Sequence, residues 1–381
     1  MKLASVTRSA PLNMQPTRYD PEMEMQHDDD GKLQLLSTKH VDDVKLGGPT
    51  RNIDYYMSIV EKTFGKLTVK RRQFTNCGVR HTQEQNGSIT LDQDEYLKAL
   101  KPIVHRDLTG ADPEAPATPE LVSLFWSLLG ALAYSLITQH WLAVYVVALQ
   151  RSTKEPRMIH IRRINALVRK AQQAPAKIVY QCMTCNRDID VHSDSGFSKE
   201  QEKGYGIRGA NYIRNGRHRQ TSEPVAHLLD SECKSHTHVT RSTFSAETLA
   251  AVVAADHVIP LATTLHEFAN GPLSAYQTRR IREEGGLAYD VTLTVDAMSL
   301  YAAVAASTIK VPAERSLAGH LYWLRELVDN HVLRRLRWCD TRDMSADCHT
   351  KGSIDRQAIL ELMAGRYKFN HERRGFPDDD G

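Results

Sequence analysis

The sequence has little net charge and no opening run of apolar residues. Its 381 residues include 49 Lys and Arg against 46 Asp and Glu, which gives a formal net charge of +3. A charge this small does not by itself indicate a nucleic-acid-binding protein, so such a function must rest on local basic clusters. Residues 1–19 mix charge, Pro and Ser without the apolar core of a secretory signal. We therefore expect an intracellular protein, cytoplasmic or nuclear.

Cysteine is scarce. Six cysteines in a chain of this length form no dense framework of the kind that stabilises small secreted domains, and free thiols fit a reducing compartment. Cys182 and Cys185 have the spacing of a redox pair or of half a zinc site, which two of Cys233, His236 and His238 could complete. No second CxxC follows at zinc-finger spacing. This favours the interpretation that Cys182 and Cys185 belong to a segment without a metal, just before a strand.

Charged residues are missing altogether from Leu121 to Gln150. An apolar run of this length could span a bilayer. Thr138, Gln139 and His140 interrupt it with polar groups that hydrocarbon would leave unsatisfied, and no one-sided Lys/Arg cluster adjoins a clean span. We predict two buried helices joined at Gln139 and His140, and no membrane segment.

The C-terminal half contains a regular succession of predicted strands and helices, and 41% of the chain is hydrophobic, enough for two or three domains with cores. Alternating apolar residues predict strands, and apolar residues at helical spacing predict helices. The predicted order is a three-strand meander over 188–197, 203–214 and 223–232, a helix from 242 to 268, a strand over 291–296, a helix over 298–306, a strand over 333–339 and a final helix opening at 344.

An acidic residue lies at each of four junctions in this succession. Asp194 is near the end of the first strand, Glu247 is in the first turns of the long helix, Asp296 ends a later strand, and Asp347 is in the first turn of the final helix. Carboxylates at strand ends and helix starts can form the oxygen cage that divalent cations need to promote phosphodiester hydrolysis. The four acids are therefore candidate metal ligands.

Four sequence blocks around these acids resemble the successive ribonuclease H blocks of copia-type retrotransposon polyproteins. The blocks are Ser193–Phe197, Ser242–Glu247, Val295–Leu300 and Ala346–Lys351. The resemblance implies an α/β fold, a ribonuclease H-like mixed sheet with flanking helices, over residues 179–365. It also implies Mg²⁺ or Mn²⁺ as cofactor, an RNA–DNA hybrid as the nucleic-acid partner, and a catalytic set made of Asp194, Glu247, Asp296 and Asp347.

The N-terminal part resembles the end of the reverse-transcriptase palm of the same elements. His40-Val41-Asp42-Asp43 is similar to their aromatic-Val-Asp-Asp hairpin, in which the two acids bind the polymerase metals, with His in place of the usual Tyr. The resemblance implies a partial α+β palm over 1–100 and a helical thumb or connection over 101–178. Too few residues precede His40 to supply the rest of a polymerase, so we expect no DNA synthesis by this chain alone. Other polyprotein segments are possible partners.

The predicted helix over 156–173 carries the most basic face in the chain. Arg162, Arg163, Arg169 and Lys170 lie on it with few acids between them. Charge runs of this kind usually lie on a solvated surface. Nucleic acid is held mainly through its phosphates, so a phosphate-binding role is the functional alternative for these four residues.

Two functions remain open at this level. The first is a metal-dependent ribonuclease H joined to an incomplete polymerase, and the second is an inactive retroelement relic that only binds nucleic acid. The two differ in geometry, because catalysis requires the oxygens of the four acids to converge on a metal site. Residues 366–381, which end in Pro377-Asp-Asp-Asp-Gly381, are predicted to be a disordered acidic tail without chemistry.

Overall fold

Three β-sheets with flanking helices make up the computed structural model, which describes residues 3–41, 43–184, 186–196 and 206–377. Asp42 and Cys185, which the sequence had singled out, lie outside the described residues, as do 378–381 of the predicted tail. The described helices are α1 Leu3–Thr7, α2 Thr50–Phe64, α3 Asp94–Ala99, α4 Pro119–Ser135, α5 Ala143–Gln150, α6 Met158–Gln173, α7 Thr243–Asn270, α8 Ala275–Glu284, α9 Met298–Ala305, α10 Ala318–Asp329, α11 Asp347–Thr350 and α12 Gln357–Met363.

The first sheet is an antiparallel meander near the N-terminus, and it contains the hairpin predicted around His40. The strand after the Asp28–Gly31 turn pairs back with the strand that follows, so that His40 faces Asp43 across the second turn. Helix α2 covers the sheet through Tyr56 and Val60, which are buried. The strands, in spatial order, are β1 Gln15–Pro16, β2 Met23–His27, β3 Leu33–His40 and β4 Asp43–Gly47.

The second sheet brings together residues that are distant in sequence. Its last strand lies far along the chain and pairs antiparallel with its third, so that Leu91 is opposite Ile178. This pairing joins the predicted palm and connection regions. The strands, in spatial order, are β5 Gln73–Asn76, β6 Val79–Gln83, β7 Ile89–Asp92 and β8 Ile178–Tyr180.

Helices α4 and α5 confirm the prediction that the uncharged run forms two helices joined through Gln139 and His140, and α6 packs against both. Phe125, Leu142 and Ile161 are almost fully buried in their core, and burying each such side chain stabilises the fold by about 1.5–3 kcal/mol before entropy is counted. The same core includes Leu228 of the third sheet. The apolar composition of this run is therefore explained by packing within the protein.

The third sheet is a mixed sheet, as the family resemblance implied, and it has six strands, one more than the sequence predicted. Its central strand pairs antiparallel with β10 and parallel with β12, and β12 in turn pairs parallel with β13. The spatial order is β11 Pro224–Ser235, β10 Ile207–Arg217, β9 Asp188–Gly196, β12 Asp290–Val295, β13 Arg335–Cys339 and β14 Arg373–Phe376.

The two faces of β9 have different surroundings because successive side chains of a strand point to opposite faces. Ile189 and Val191 join the apolar core formed with helices α7, α9 and α10. Asp190, His192 and Asp194 point to the other face and are also buried. Helix α7 is long and apolar enough to cross a membrane by length and composition alone. Of an apolar 18-residue stretch of this helix, however, 56% is buried within the protein.

The C-terminal segment corrects the sequence prediction of a disordered tail. Residues 373–376 form β14, which pairs antiparallel with β13 at the edge of the sheet. Tyr367 and Phe369, from the same predicted tail, pack their rings against His192. The segment is ordered as far as β14 because its aromatic side chains pack against His192 and its backbone pairs with β13. The acidic residues at the end of the chain do not represent the whole segment.

Candidate metal centre

Asp194 and Asp296 are brought together by the parallel pairing of β9 and β12. Asp194 lies two residues before the end of β9, and Asp296 directly follows β12. The register places Val295 opposite Ser193, so the two acids lie at the same edge of the sheet. Asp194 is 1% exposed, which leaves its carboxylate almost no contact with solvent.

Glu247 reaches the same edge from the first turns of α7. The helix begins at a capping box in which the Ser242 hydroxyl accepts from the Ser245 backbone N–H. The backbone N–H of Ser195, next to Asp194 on β9, donates to the Glu247 carboxylate. The start of the helix is thereby held against the end of the strand.

The three carboxylates converge. One oxygen from each of Asp194, Glu247 and Asp296 lies within 4.8 Å of the others. Within the described ranges they are the one group of three or more acids, histidines or cysteines that could hold a metal ion. Oε2 of Glu247 is buried and has no hydrogen-bond partner, and leaving such an oxygen unpaired costs about 1–3 kcal/mol or more.

Two threonines orient the carboxylates. Thr341 Oγ1 donates to Asp296 Oδ2 at 2.9 Å, and Thr350 Oγ1 donates to Asp194 Oδ2. The backbone around Asp296 is also held, because Trp338 Nε1 donates to the Asp296 carbonyl oxygen at 2.9 Å. Each neutral donor fixes a carboxylate without cancelling its charge.

Asp347 lies beside the group of three with a different partner. It begins the short helix α11, and its Oδ1 accepts from Lys351 Nζ at 2.6 Å. The same ammonium nitrogen is 3.9 Å from Asp194 Oδ1. The structure therefore gathers three of the four predicted ligands and places the fourth in an ion pair at the side of Asp194.

Crowding changes the protonation of these acids. Burial, together with the charges of Asp194 and Asp296, raises the pKa of Glu247 to about 10. Burial and the charge of Asp194 raise the pKa of Asp347 to about 7, although Lys351 opposes the shift. Burial and Asp194 also raise the pKa of Asp296. A pKa of about 10 keeps Glu247 protonated near neutral pH in the metal-free protein, because its ionised form would be buried beside two other carboxylates.

A divalent cation fits this arrangement. The donors are all carboxylate oxygens, which hard cations such as Mg²⁺ and Mn²⁺ prefer. The unpartnered Glu247 oxygen and the mutual repulsion of the carboxylates would both be relieved by a bound cation. Asp194, Glu247 and Asp296 are the residues that could hold it.

Lys351, Thr341 and Thr350 were not identified from the sequence as parts of the site. Lys351 is four residues after Asp347, a spacing that favours an ion pair on a helix, and this spacing was the available signal. The two threonines gave no comparable signal, since nothing local marks a hydroxyl that will face a carboxylate distant in the chain.

The strands that flank the predicted hairpin pair, with His40 opposite Asp43, but the surroundings of Asp43 differ from those of the buried acids. Asp43 is exposed, and its Oδ2 accepts from Asn76 Nδ2 at 2.9 Å. Asp42 lies outside the described residues. Metal binding by these two acids stays a prediction.

The zinc hypothesis gains no support from the residues that the structure describes. Cys233 Sγ donates to the His349 carbonyl oxygen at 3.1 Å, and His236 Nε2 lies 2.8 Å from Ser195 Oγ. Both side chains therefore have other partners. Cys185 lies outside the described ranges.

The basic face of α6 is only partly free. Arg162 donates to the carbonyl oxygens of Leu108 and Ala111, at 3.3 and 2.6 Å, and so binds the loop that precedes α4. Lys170 is exposed and lies 5.5 Å from the ring centroid of Trp141. Arg163 and Arg169 are exposed. Nucleic-acid binding by the four residues stays a prediction.

Comparisons with known proteins give a limited result. No protein-family model and no curated protein sequence matches this chain. Among solved structures, the chain is similar to the N-terminal ribonuclease H domain of a Mycobacterium tuberculosis protein, determined as a fusion with maltose-binding protein. The two share 13% sequence identity with a TM-score of 0.28, over 47% of this chain and 100% of the solved chain.

Proposed function

We propose that this chain is a divalent-metal-dependent ribonuclease H that cleaves the RNA strand of RNA–DNA hybrids, and that it is related to copia-type retrotransposon polyproteins. The convergence of Asp194, Glu247 and Asp296 at one edge of the third sheet carries the proposal. These are three of the four acids on which the sequence resemblance rests.

The order of elements supports the same proposal. An antiparallel meander of β9, β10 and β11 is followed by helix α7 and then by two parallel strands that alternate with helices. This is the succession, with acids at its junctions, that led from the sequence to the ribonuclease H fold. The acids lie where β9 and β12 end, and the carboxyl ends of parallel strands are a common place for ligand sites in α/β proteins.

The residues have distinct tasks in the proposed reaction. Asp194, Glu247 and Asp296 would hold Mg²⁺ or Mn²⁺, and Thr341 and Thr350 would keep two of these carboxylates in position. A divalent cation bound there would act as a Lewis acid on the scissile phosphodiester. Asp347 and Lys351 would lie beside the phosphate, where the ammonium offers a point charge to a phosphate oxygen.

An RNA–DNA hybrid is the proposed substrate class on the strength of the sequence resemblance. Hybrids are recognised by groove shape and by contacts to phosphates and 2′-hydroxyls rather than by base sequence. The exposed guanidinium groups of Arg163 and Arg169 are suited to phosphate contacts of this kind. The chain offers these contacts outside the acidic centre.

The direct test is cleavage of an end-labelled RNA–DNA hybrid in Mg²⁺ or Mn²⁺ by the full chain. We expect cutting of the RNA strand that is lost in Asp194→Asn and Asp296→Asn. Asp188→Asn is the matched control, because Asp188 is an exposed acid of the same strand whose carboxylate accepts from Asn186. A folded wild-type protein that binds the hybrid without cutting it would instead be an inactive relic.

A further inference from the structure

The ammonium group of Lys351 lies inside the acidic centre. Its nitrogen is 2.6 Å from Asp347 Oδ1 and 3.9 Å from Asp194 Oδ1. The side chain is 36% exposed, so the stem passes from the rim into the site. It is a cation already placed among carboxylates that could otherwise hold a metal ion.

The position of Lys351 is fixed by its backbone. Arg356, which is buried, donates to the Lys351 carbonyl oxygen at 2.9 Å and to the Cys348 carbonyl oxygen at 2.8 Å. At the preceding residue, the Thr350 hydroxyl donates to Asp194 Oδ2. The end of α11 is therefore tied to β9 and to the following segment, and the lysine extends from an anchored point.

The centre has two unequal sides around Asp194. On one side Glu247 and Asp296 converge with Asp194, and Oε2 of Glu247, a residue that is 5% exposed, has no hydrogen-bond partner. On the other side, between Asp194 and Asp347, the ammonium is in contact with Asp347. The side with Glu247 and Asp296 consists of carboxylates that a divalent cation could join, whereas the side with Asp347 already contains the Lys351 ammonium.

We propose that Lys351 occupies the place that a second divalent cation would need between Asp194 and Asp347, so that the free protein binds one divalent ion and not two. This inference rests on the proposed function and specifies its metal content. The ammonium nitrogen lies 2.6 Å from Asp347 Oδ1 and 3.9 Å from Asp194 Oδ1, in the space that a second ion would need. Its position excludes a second ion there, and its positive charge repels one.

The ammonium would also take over a task of that second ion. A lysine ammonium is a compact point charge with three donors and is a common phosphate ligand. Held beside the first ion, it can donate to a phosphate oxygen on the side where a second metal would have bound. The chain would then pair one metal ion with one lysine at the scissile phosphate.

The test is a count of bound Mn²⁺ in the metal-free full chain without nucleic acid, by titration calorimetry and by the electron paramagnetic resonance signal of unbound Mn²⁺. We expect one ion in the wild type and two in Lys351→Met. Lys351→Arg keeps a cation at the position and is expected to bind one ion. Lys154→Met removes an exposed lysine elsewhere and is expected to leave the count at one.

A double variant makes the assignment specific to this position. Asp347→Asn combined with Lys351→Met is expected to return the count to one, because the gained ion would depend on the Asp347 carboxylate. Circular dichroism and the melting temperature establish that each variant is folded before ions are counted. The expected second affinity is weaker than the first, since the new site has fewer carboxylates.

Several results would overturn the inference. They are two ions in the wild type, no ion in the wild type, or a count that stays at one in Lys351→Met. Hybrid cleavage is measured on the same samples and answers a separate question. One ion in the wild type and two in Lys351→Met, without any RNA cleavage, would reject the nuclease and keep the role of Lys351.

Discussion

Asp190 and Asp194 lie on the same face of β9, four residues apart, and both are buried. Asp190 is surrounded by donors: Thr294 Oγ1 donates to it at 2.6 Å, and the Arg337 guanidinium forms an ion pair with it. Asp194 receives one hydroxyl and faces Glu247 and Asp296. One carboxylate is neutralised by the protein, whereas the other lies among further negative charges.

The difference is visible in how the environment acts on each carboxyl. Burial opposes ionisation of Asp190, but Arg337, with His192 and Thr294, outweighs it and holds the pKa of that carboxyl well below its usual range. At the end of the strand burial and like charges act together, and the pKa of Glu247 rises. An acid with its own counter-ion stays ionised inside the fold, whereas crowded acids without one take up a proton or bind a cation.

The largest expected effect comes from Asp194→Asn. Loss of a central metal ligand should lower kcat/KM on the hybrid by at least about 10²–10³-fold, the scale for removing one preorganised electrostatic group. The same change should raise the melting temperature of the metal-free protein, because it removes a like charge from a crowded site while an amide oxygen can still accept from Thr350. Steady-state kinetics measure the loss of kcat/KM, and calorimetry in EDTA measures the melting temperature of the metal-free protein. A lower melting temperature than that of the wild type would contradict the expected relief of charge repulsion.

Asp190→Asn should act in the opposite way on stability. It leaves the Arg337 guanidinium without its charged partner, and breaking a buried pair from one side costs about 3–5 kcal/mol. Urea unfolding measures the loss. The double variant Asp190→Asn with Arg337→Met should recover much of it, and full stability of Asp190→Asn alone would show that the pair contributes little.

The pH dependence of stability provides a third comparison. The ordinary pKa of a Glu is 4.5 and that of Glu247 is raised to about 10, so between these values the folded chain retains a proton that the unfolded chain has lost. Stability therefore falls as pH rises, by up to about 1.4 kcal/mol per pH unit for one such group.

The window from pH 8 to 9 separates this effect from the buried histidines and from Asp347, whose pKa is raised to about 7. Burial lowers the pKa of His140 and His227 to about 4 from an ordinary value of 6.5, so above pH 8 each is almost entirely neutral in folded and unfolded chains alike. Urea unfolding in EDTA should show a steeper decline for the wild type than for Glu247→Gln. Saturating Mg²⁺ should flatten the wild-type decline, and equal slopes in the two proteins would argue against a protonated Glu247.

Thr341→Val tests an indirect contribution to the site. Its hydroxyl donates to Asp296 Oδ2 at 2.9 Å from an exposed position. Loss of a donor that orients a metal ligand usually lowers metal affinity or activity 10–100-fold. Because the Thr341 hydroxyl is exposed, we expect Mg²⁺ affinity to fall by about 10-fold, the lower end of that range. Calorimetric Mg²⁺ affinity is the measurement, with Thr221→Val in a distant turn as the control. An unchanged affinity would mean that Asp296 is positioned by its backbone alone.

The sequence was sufficient for the local elements and for three of the four acids of the centre. Alternation over β9 and the apolar spacing of α7 are local signals, whereas the mixed sheet that pairs β9 with β12 was implied only by the family resemblance. The partner of Asp190 could not be predicted, because Arg337 is 147 residues away and nothing local marks a strand arginine as a counter-ion. Strand β14 was missed because its pairing depends on the edge that β13 leaves available.

The smallest effect is expected from Asp43→Asn. Asp43 is exposed and has one hydrogen bond from Asn76, so it has neither the charged partner of Asp190 nor the crowding of Asp194. The free energy of unfolding should change by no more than about 0.5 kcal/mol, as for most surface substitutions, and hybrid cleavage should stay within about twofold of the wild type. Both are measured beside Asp188→Asn, another exposed strand acid. A loss of cleavage approaching that of Asp194→Asn would mean that the N-terminal hairpin contributes to the same catalytic site. An exposed acid with one neutral hydrogen-bond partner would then be as important for cleavage as the buried Asp194.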